Sequence, residues 1–183
     1  MKQQSRNGVF ETNSSSIHTI SIYNNDDYKE NMKNATRVWF GTDEFGWGNE
    51  VYENSASYLW TGLVYSNYYK RKEIDKIQKN ITKILKKHKI KAEFEPYVVK
   101  TYMNSKDEYL TFDDWKGYVD HTEDLPEFFD YIINSDLSIN EEHLLRYLFN
   151  SYVCTGNDND ESGYENKHRE EAKEGITLFV KGN

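Results

Sequence analysis

The chain has one cysteine and two prolines in 183 residues, and no long apolar run. A lone Cys154 cannot close an intrachain disulfide, which fits a reducing compartment. His18, His88, His121, His143 and His168 stand in no Cys-x-x-Cys or His-Glu-x-x-His spacing, so no zinc framework is predicted. The apolar stretches are only a few residues long, far short of the roughly 20 that cross a bilayer, and the first residues hold no apolar core of a secretory leader. A Gly-x-Ser-x-Gly elbow and a Walker-type Gly-Lys-Ser/Thr are both missing. These absences predict a soluble, cytoplasmic protein with no membrane partner and no resident cofactor.

What the chain does have is aromatic surface and charge. Its hydrophobic fraction of 37% is below the roughly 45–50% usual for globular chains. Fifteen Tyr, nine Phe and four Trp nevertheless supply the large apolar faces that a disordered chain of similar charge lacks. At this length one domain over residues 1–183 is expected, with an N-terminal part over 1–100 and an acidic helical part over 101–183. The net charge is −8 but unevenly spread. Lys70 to Lys91 holds ten cations against Glu73 and Asp75, a local +8, which leaves −16 for the remainder. Asn104 to Gly175 holds 19 acids against six cations. Each pole can steer a partner of opposite sign, more weakly as salt rises.

Periodicity gives the elements. Ser16–Tyr23 (SIHTISIY) is β-branched and alternating, a strand; Thr36–Phe40 reads as a second, after a polar linker over Asn24–Asn34. The glycines at 41, 46 and 48 suggest a turn. Ser55–Tyr69 places Leu59, Leu63 and Val64 at helical spacing, with a strand as the alternative. Arg71–Lys89 repeats Ile74, Ile77, Ile81, Ile84 and Leu85 every three or four residues, one apolar stripe on a cationic helix. Ala92–Val99 reads as a strand in which Pro96 favours an edge. Two acidic amphipathic helices follow, the first from Asp124 with Pro126 in its first turn, the second from Ser138 or Asn140. A loop over Cys154–Gly163, a helical turn over Asn166–Lys173 and a last strand ITLFVK complete an α+β fold, a small mixed or antiparallel sheet packed with helices. Its first and last strands are expected to pair.

Three constellations bear on chemistry. Glu11, Ser14, Ser16 and His18 gather hydroxyls, a carboxylate and an imidazole before the first strand, the parts of a nucleophile and its base if they approach hydrogen-bonding distance. The competing reading is that the serines satisfy turn backbone and His18 is an ordinary strand residue. Asp158, Asp160 and Ser162, with Gly163 after them, match the opening of a calcium loop. Arg169 occupies the position where a bidentate acid is required, which favours a solvated acidic loop over a metal site. On the basic helix Lys72, Lys76, Lys79, Lys83, Lys86 and Lys87 are candidate phosphate contacts, with Tyr65, Tyr68 and Tyr69 as stacking faces nearby; the alternative is a solvated face neutralised by the chain's own acids.

The stretch Gly8-Val9-Phe10-Glu11-Thr12-Asn13-Ser14-Ser15-Ser16, with His18 after one further residue, resembles the N-terminal signature of uncharacterised proteins from phages and mobile elements of low-GC Gram-positive bacteria. A loop like Asn157-Asp158-Asn159-Asp160 recurs near their C-termini. The resemblance carries no activity and no catalytic residue. It implies an accessory protein of a phage, in a group where acidic inhibitors of host defence are common. Charge polarity and the missing catalytic motifs then predict a non-enzymatic binding protein. In its most concrete form it is an anti-CRISPR-like inhibitor whose Asp113, Asp114, Glu123, Asp124, Glu127 and Asp130 stand in for phosphates on a host nuclease. A small hydrolase or transferase built on the Glu11/Ser14/Ser16/His18 cluster is the second expectation, and a virion or morphogenesis component the third.

Overall fold

The computed structural model describes residues 16–45, 50–52, 55–66, 68–97, 118–119, 125–157 and 175–181. Its centre is a four-stranded antiparallel sheet built from β1 (Ser16–Tyr23), β4 (Glu50–Tyr52), β7 (Ser151–Asn157) and β8 (Ile176–Lys181), in the order β4-β7-β1-β8. The first and last strands pair as expected, Ile20 opposite Phe179 and Tyr23 opposite Ile176. Strands from both halves of the chain thus share one ladder. In β1 His18, Ile20 and Ile22 point to one face and Thr19 and Ser21 to the other, and all five are buried. A strand covered on both sides explains why polar and apolar residues alternate in it without either set reaching water.

Two parallel pairs form ladders of their own: β2 (Arg37–Phe40) with β5 (Lys91–Phe94), and β3 (Glu44–Phe45) with β6 (Tyr118–Val119). The first pair is joined through α2 (Ser55–Tyr65) and α3 (Arg71–Lys87). α2 is the central helix; every residue from Ser55 to Val64 is buried. Its sequence shows little one-sided pattern for that reason, since a helix enclosed all round has no polar face to display. Trp60 meets Phe94 and Tyr97 edge-on, and Gly62 admits α4 (Leu125–Ile132) so closely that a Cβ there would sit 3.3 Å from Leu125 and Phe129.

The remaining helices follow the predicted signals with two differences. Asn140 caps α5 (Glu141–Phe149), its side-chain oxygen accepting from the His143 N–H at 3.2 Å. Leu144, Leu145 and Tyr147 are buried, and Leu148 and Phe149 pack at the margin. The predicted polar linker instead contains α1 (Asp27–Lys33), which has acids in its first turn, Lys33 in its last and only Tyr28 fully buried. The anchor is remote: the Arg146 guanidinium lies 4.8 Å over the Tyr28 ring and also bonds Glu142, Asp26 and the Asn25 carbonyl. The second difference is that β7, which no expectation covers, takes in Cys154–Asn157, the start of the predicted loop. Strand β5 ends at Phe94, before Pro96. The predicted helical turn over Asn166–Lys173 lies outside the described residues, as does Asp124, the expected cap of α4.

Candidate functional site

α3 carries the most sharply divided surface. Its backbone begins with the Lys70 N–H donating to Glu73 Oε2 at 2.8 Å, half of a capping box. It ends in a Schellman turn: the Ile90 N–H returns to the Leu85 carbonyl and the Lys89 N–H to that of Lys86. Lys89 occupies the left-handed position there with φ of 62°, where glycine is usual. Ile74, Ile77, Ile81, Ile84 and Leu85 are buried. Lys72, Lys76, Lys79, Lys83 and Lys86 are all exposed, and their alternating spacing of four and three places them in one row opposite that stripe. Fourteen residues separate the ends of the row, about 21 Å at 1.5 Å per residue.

The row is bordered rather than neutralised. Lys87 leaves it, its ammonium 2.5 Å from Glu141 Oε2, while His88 Nε2 holds the other oxygen at 2.9 Å. These contacts, Lys87's first, hold the Glu141 carboxyl below its ordinary pKa. Lys76 donates to the Asp136 carbonyl at 2.8 Å, and its charge adds to the Ser138 hydrogen bonds that hold the Asp136 carboxyl below its ordinary pKa. Beside it Asn80 donates to the Leu137 carbonyl, so the α4–α5 loop sits flush with that flank. On the other flank Tyr97 donates to Asp75 at 3.1 Å; burial first, then the Asp75 charge, push its phenol up to about 12. Among the described residues Lys72, Lys79, Lys83 and Lys86 make no ion pair.

The expected stacking faces are placed elsewhere. Tyr69 is buried against Phe129, and its burial raises the phenol pKa well above normal. Tyr65 is half-buried, and Tyr68 is 48% exposed but stands beyond the helix N-terminus, edge-on to Tyr69. Of the six predicted acidic contacts, Glu127 and Asp130 are exposed on α4 and make no ion pair among the described residues. Asp113, Asp114, Glu123 and Asp124 lie outside the described residues. Glu141 and Asp136, which bound the lysine row, were not singled out in the sequence; the Lys87–Glu141 pair spans 54 residues and has no local signal.

His18 sits in the interior. It is 1% exposed, and its Nδ1 lies 3.1 Å from the Tyr58 hydroxyl, itself buried on α2. Burial raises the Tyr58 pKa far above normal, so that hydroxyl stays protonated. A polar seam continues along the same sheet–helix contact. Tyr147 donates to the Ser55 carbonyl at 2.6 Å, and the Ser55 and Ser151 hydroxyls meet at 2.8 Å. Ser16 opens β1, while Glu11 and Ser14, its expected partners in a catalytic cluster, lie outside the described residues, as do Asp158, Asp160 and Ser162. Among the described residues no group of three or more His, Cys, Asp or Glu is placed to hold a metal, and no helix is long and apolar enough to cross a membrane. Comparison with protein-family models, with curated proteins and with solved structures finds no match.

Proposed function

We propose that this chain is a non-catalytic accessory protein of a phage or mobile element that binds and inhibits a nucleic-acid-handling defence enzyme of its host, in concrete form an RNA-guided nuclease. The observation that supports the reading is how the carboxylates sort. Asp26, Glu30, Glu141 and Glu142 are engaged with Lys29, Lys33, Lys87 and Arg146, whereas Glu127 and Asp130 on α4 make no ion pair among the described residues. A carboxylate exposed on a helix is available to a cationic groove that ordinarily holds phosphate, and complementarity of this kind sets encounter rate and choice of partner. In this reading Asp113, Asp114, Glu123 and Asp124 extend the same surface.

The test is charge reversal. Glu127→Lys with Asp130→Lys, and separately the four remaining acids to Lys, are assayed for capture of a purified RNA-guided nuclease and for block of its cleavage. The expected result is loss of capture by at least tenfold in each set, with salt sensitivity in the parent protein. Undiminished capture in both sets overturns the acidic-surface reading.

A further inference from the structure

The lysine row of α3 is a second charged surface that acidic mimicry does not use. We infer that it is a binding site for the sugar–phosphate backbone of duplex nucleic acid, engaged without regard to base sequence. The inference stands on α3 alone and does not depend on which enzyme the acidic surface meets.

Charge comes first. Five ammonium groups, on Lys72, Lys76, Lys79, Lys83 and Lys86, share one face of a straight helix, and none is in an ion pair among the described residues. A solvated structural helix more often mixes signs on its outer face, because opposite charges three or four residues apart support it. Here the acids stand to the sides: Asp75 under Tyr97, Asp136 in the α4–α5 loop and Glu141 against Lys87 and His88. They narrow the positive surface to a track about one helix wide and about 21 Å long at 1.5 Å per residue.

The chemistry of the track selects its ligand. Single-strand binders interleave aromatic rings with cations so that bases can stack. Arg71–Lys87 contains no aromatic residue, and the exposed rings among the described residues, Trp39 on β2 and Tyr68 ahead of the helix, lie outside it. Reading base edges calls for Arg, Asn or Gln aimed into a groove. The row consists of lysines, point charges that suit phosphate oxygens. Its polar neighbours are already engaged: Asn80 donates to Leu137, and the Thr82 hydroxyl to the carbonyl of Gln78. The loop carrying Asp136 and Leu137 lies against one flank, which keeps α3 from entering a groove and leaves it lying on the backbone. A rigid duplex presents phosphates in a fixed line to such a track, whereas a flexible strand must be ordered to meet it.

The experiment is a fluorescence-anisotropy titration of the full chain against labelled 20-bp duplexes of two unrelated sequences and the corresponding single strands, from 50 to 200 mM salt. Contact with three to five phosphates gives a log–log salt slope of about −3 to −4.5. The two duplexes should bind equally and each single strand more weakly. Lys79→Gln with Lys83→Gln should make the slope shallower by about 2, with the circular-dichroism melt not lowered, because both side chains are exposed and their like-charge neighbours oppose the helix. Asp136→Asn should tighten binding. Absence of duplex binding at 50 mM salt, tighter binding to single strands, or a slope unmoved by the double substitution would each overturn the inference. None of these outcomes bears on capture through Glu127 and Asp130, so the two surfaces stand or fall separately.

Discussion

Replacing His18 by alanine tests the interior at the point where it was most open to a chemical interpretation. In the folded protein the Tyr58 hydroxyl and His18 Nδ1 are 3.1 Å apart, and both residues are about 1% exposed. Removing the imidazole strands a buried hydroxyl, which costs about 1–3 kcal/mol. It also opens a cavity of roughly 65 Å³, worth about 1.5 kcal/mol at about 24 cal/mol per Å³. The sum is about 3 kcal/mol. With a urea dependence of about 2 kcal/mol/M, the unfolding midpoint read by tryptophan fluorescence should fall by about 1.5 M. Tyr58→Phe removes the hydroxyl alone and should lower it by about 0.5–1 M. Because the double variant strands neither group of the pair, its cost should be less than the sum of the singles by about 1 kcal/mol. A His18→Ala midpoint within 0.3 M of the parent, or strict additivity, would refute the buried contact. The same arithmetic limits His18→Ala as an activity control: lost turnover in that variant would report weakened folding, and Tyr58→Phe, which leaves the imidazole in place, is the matched comparison.

The other predictions concern α3 and its attachments. Ile81→Ala empties a fully buried site and should cost about 2–5 kcal/mol in urea unfolding. Lys89→Gly relieves the left-handed backbone at the Schellman turn and should raise stability by about 0.5–1 kcal/mol, with Lys89→Ala giving no gain. Arg146→Ala should cost about 2 kcal/mol and speed amide exchange through Asp27–Lys33. Arg146→Lys should recover less than half, since an ammonium lacks the planar fork that stacks on Tyr28 while bonding Glu142. The Glu141 carboxyl is held below its ordinary pKa by Lys87 and His88, so its contribution is complete above the unfolded value of about 4.3 and lost as the pH falls through the folded one. The side chain is 37% exposed, so Glu141→Gln should cost only about 0.5 kcal/mol at pH 7, and the cost should shrink as the pH falls below about 4.3.

Where a residue's environment is set by its near neighbours in the chain, the sequence was enough. β1 follows from its β-branched alternation, α3 from its isoleucine spacing, α5 from Asn140 ahead of a leucine run, and β8 from five apolar or β-branched residues after Gly175. The pairing of first and last strands was also legible. α1 was not, because Tyr28 and Met32 are too little apolar surface to announce a helix, and what covers Tyr28 is Arg146, 118 positions after it. β7 was not legible at all, because Gly156 and Asn157 suggest a turn, whereas the ladder to Ile17 and Ser16 carries the strand through them. At the site, the cationic row was visible and its acidic borders were not. Asp75 lies on α3 itself, but Asp136 and Glu141 reach it only through tertiary packing.

The lysine row bears on stability as well as on binding, and with opposite sign. The neighbours 72/76, 76/79, 79/83 and 83/86 are like charges at helical contact spacing, and each such pair opposes the helix by about 0.2–0.5 kcal/mol at low salt. The apolar stripe accounts for why α3 folds against the core, but it places no demand on the opposite face, where glutamate would serve the fold better than lysine. A surface that is unfavourable for folding and unneeded for packing is the expected mark of a site kept for binding. Lys83→Glu separates the two roles. It converts contacts with Lys79 and Lys86 from repulsive to attractive, so the urea midpoint at low salt should rise by about 0.4–1 M while duplex affinity falls at least tenfold. A variant that gained stability and kept its affinity would show that the row is solvated surface and nothing more.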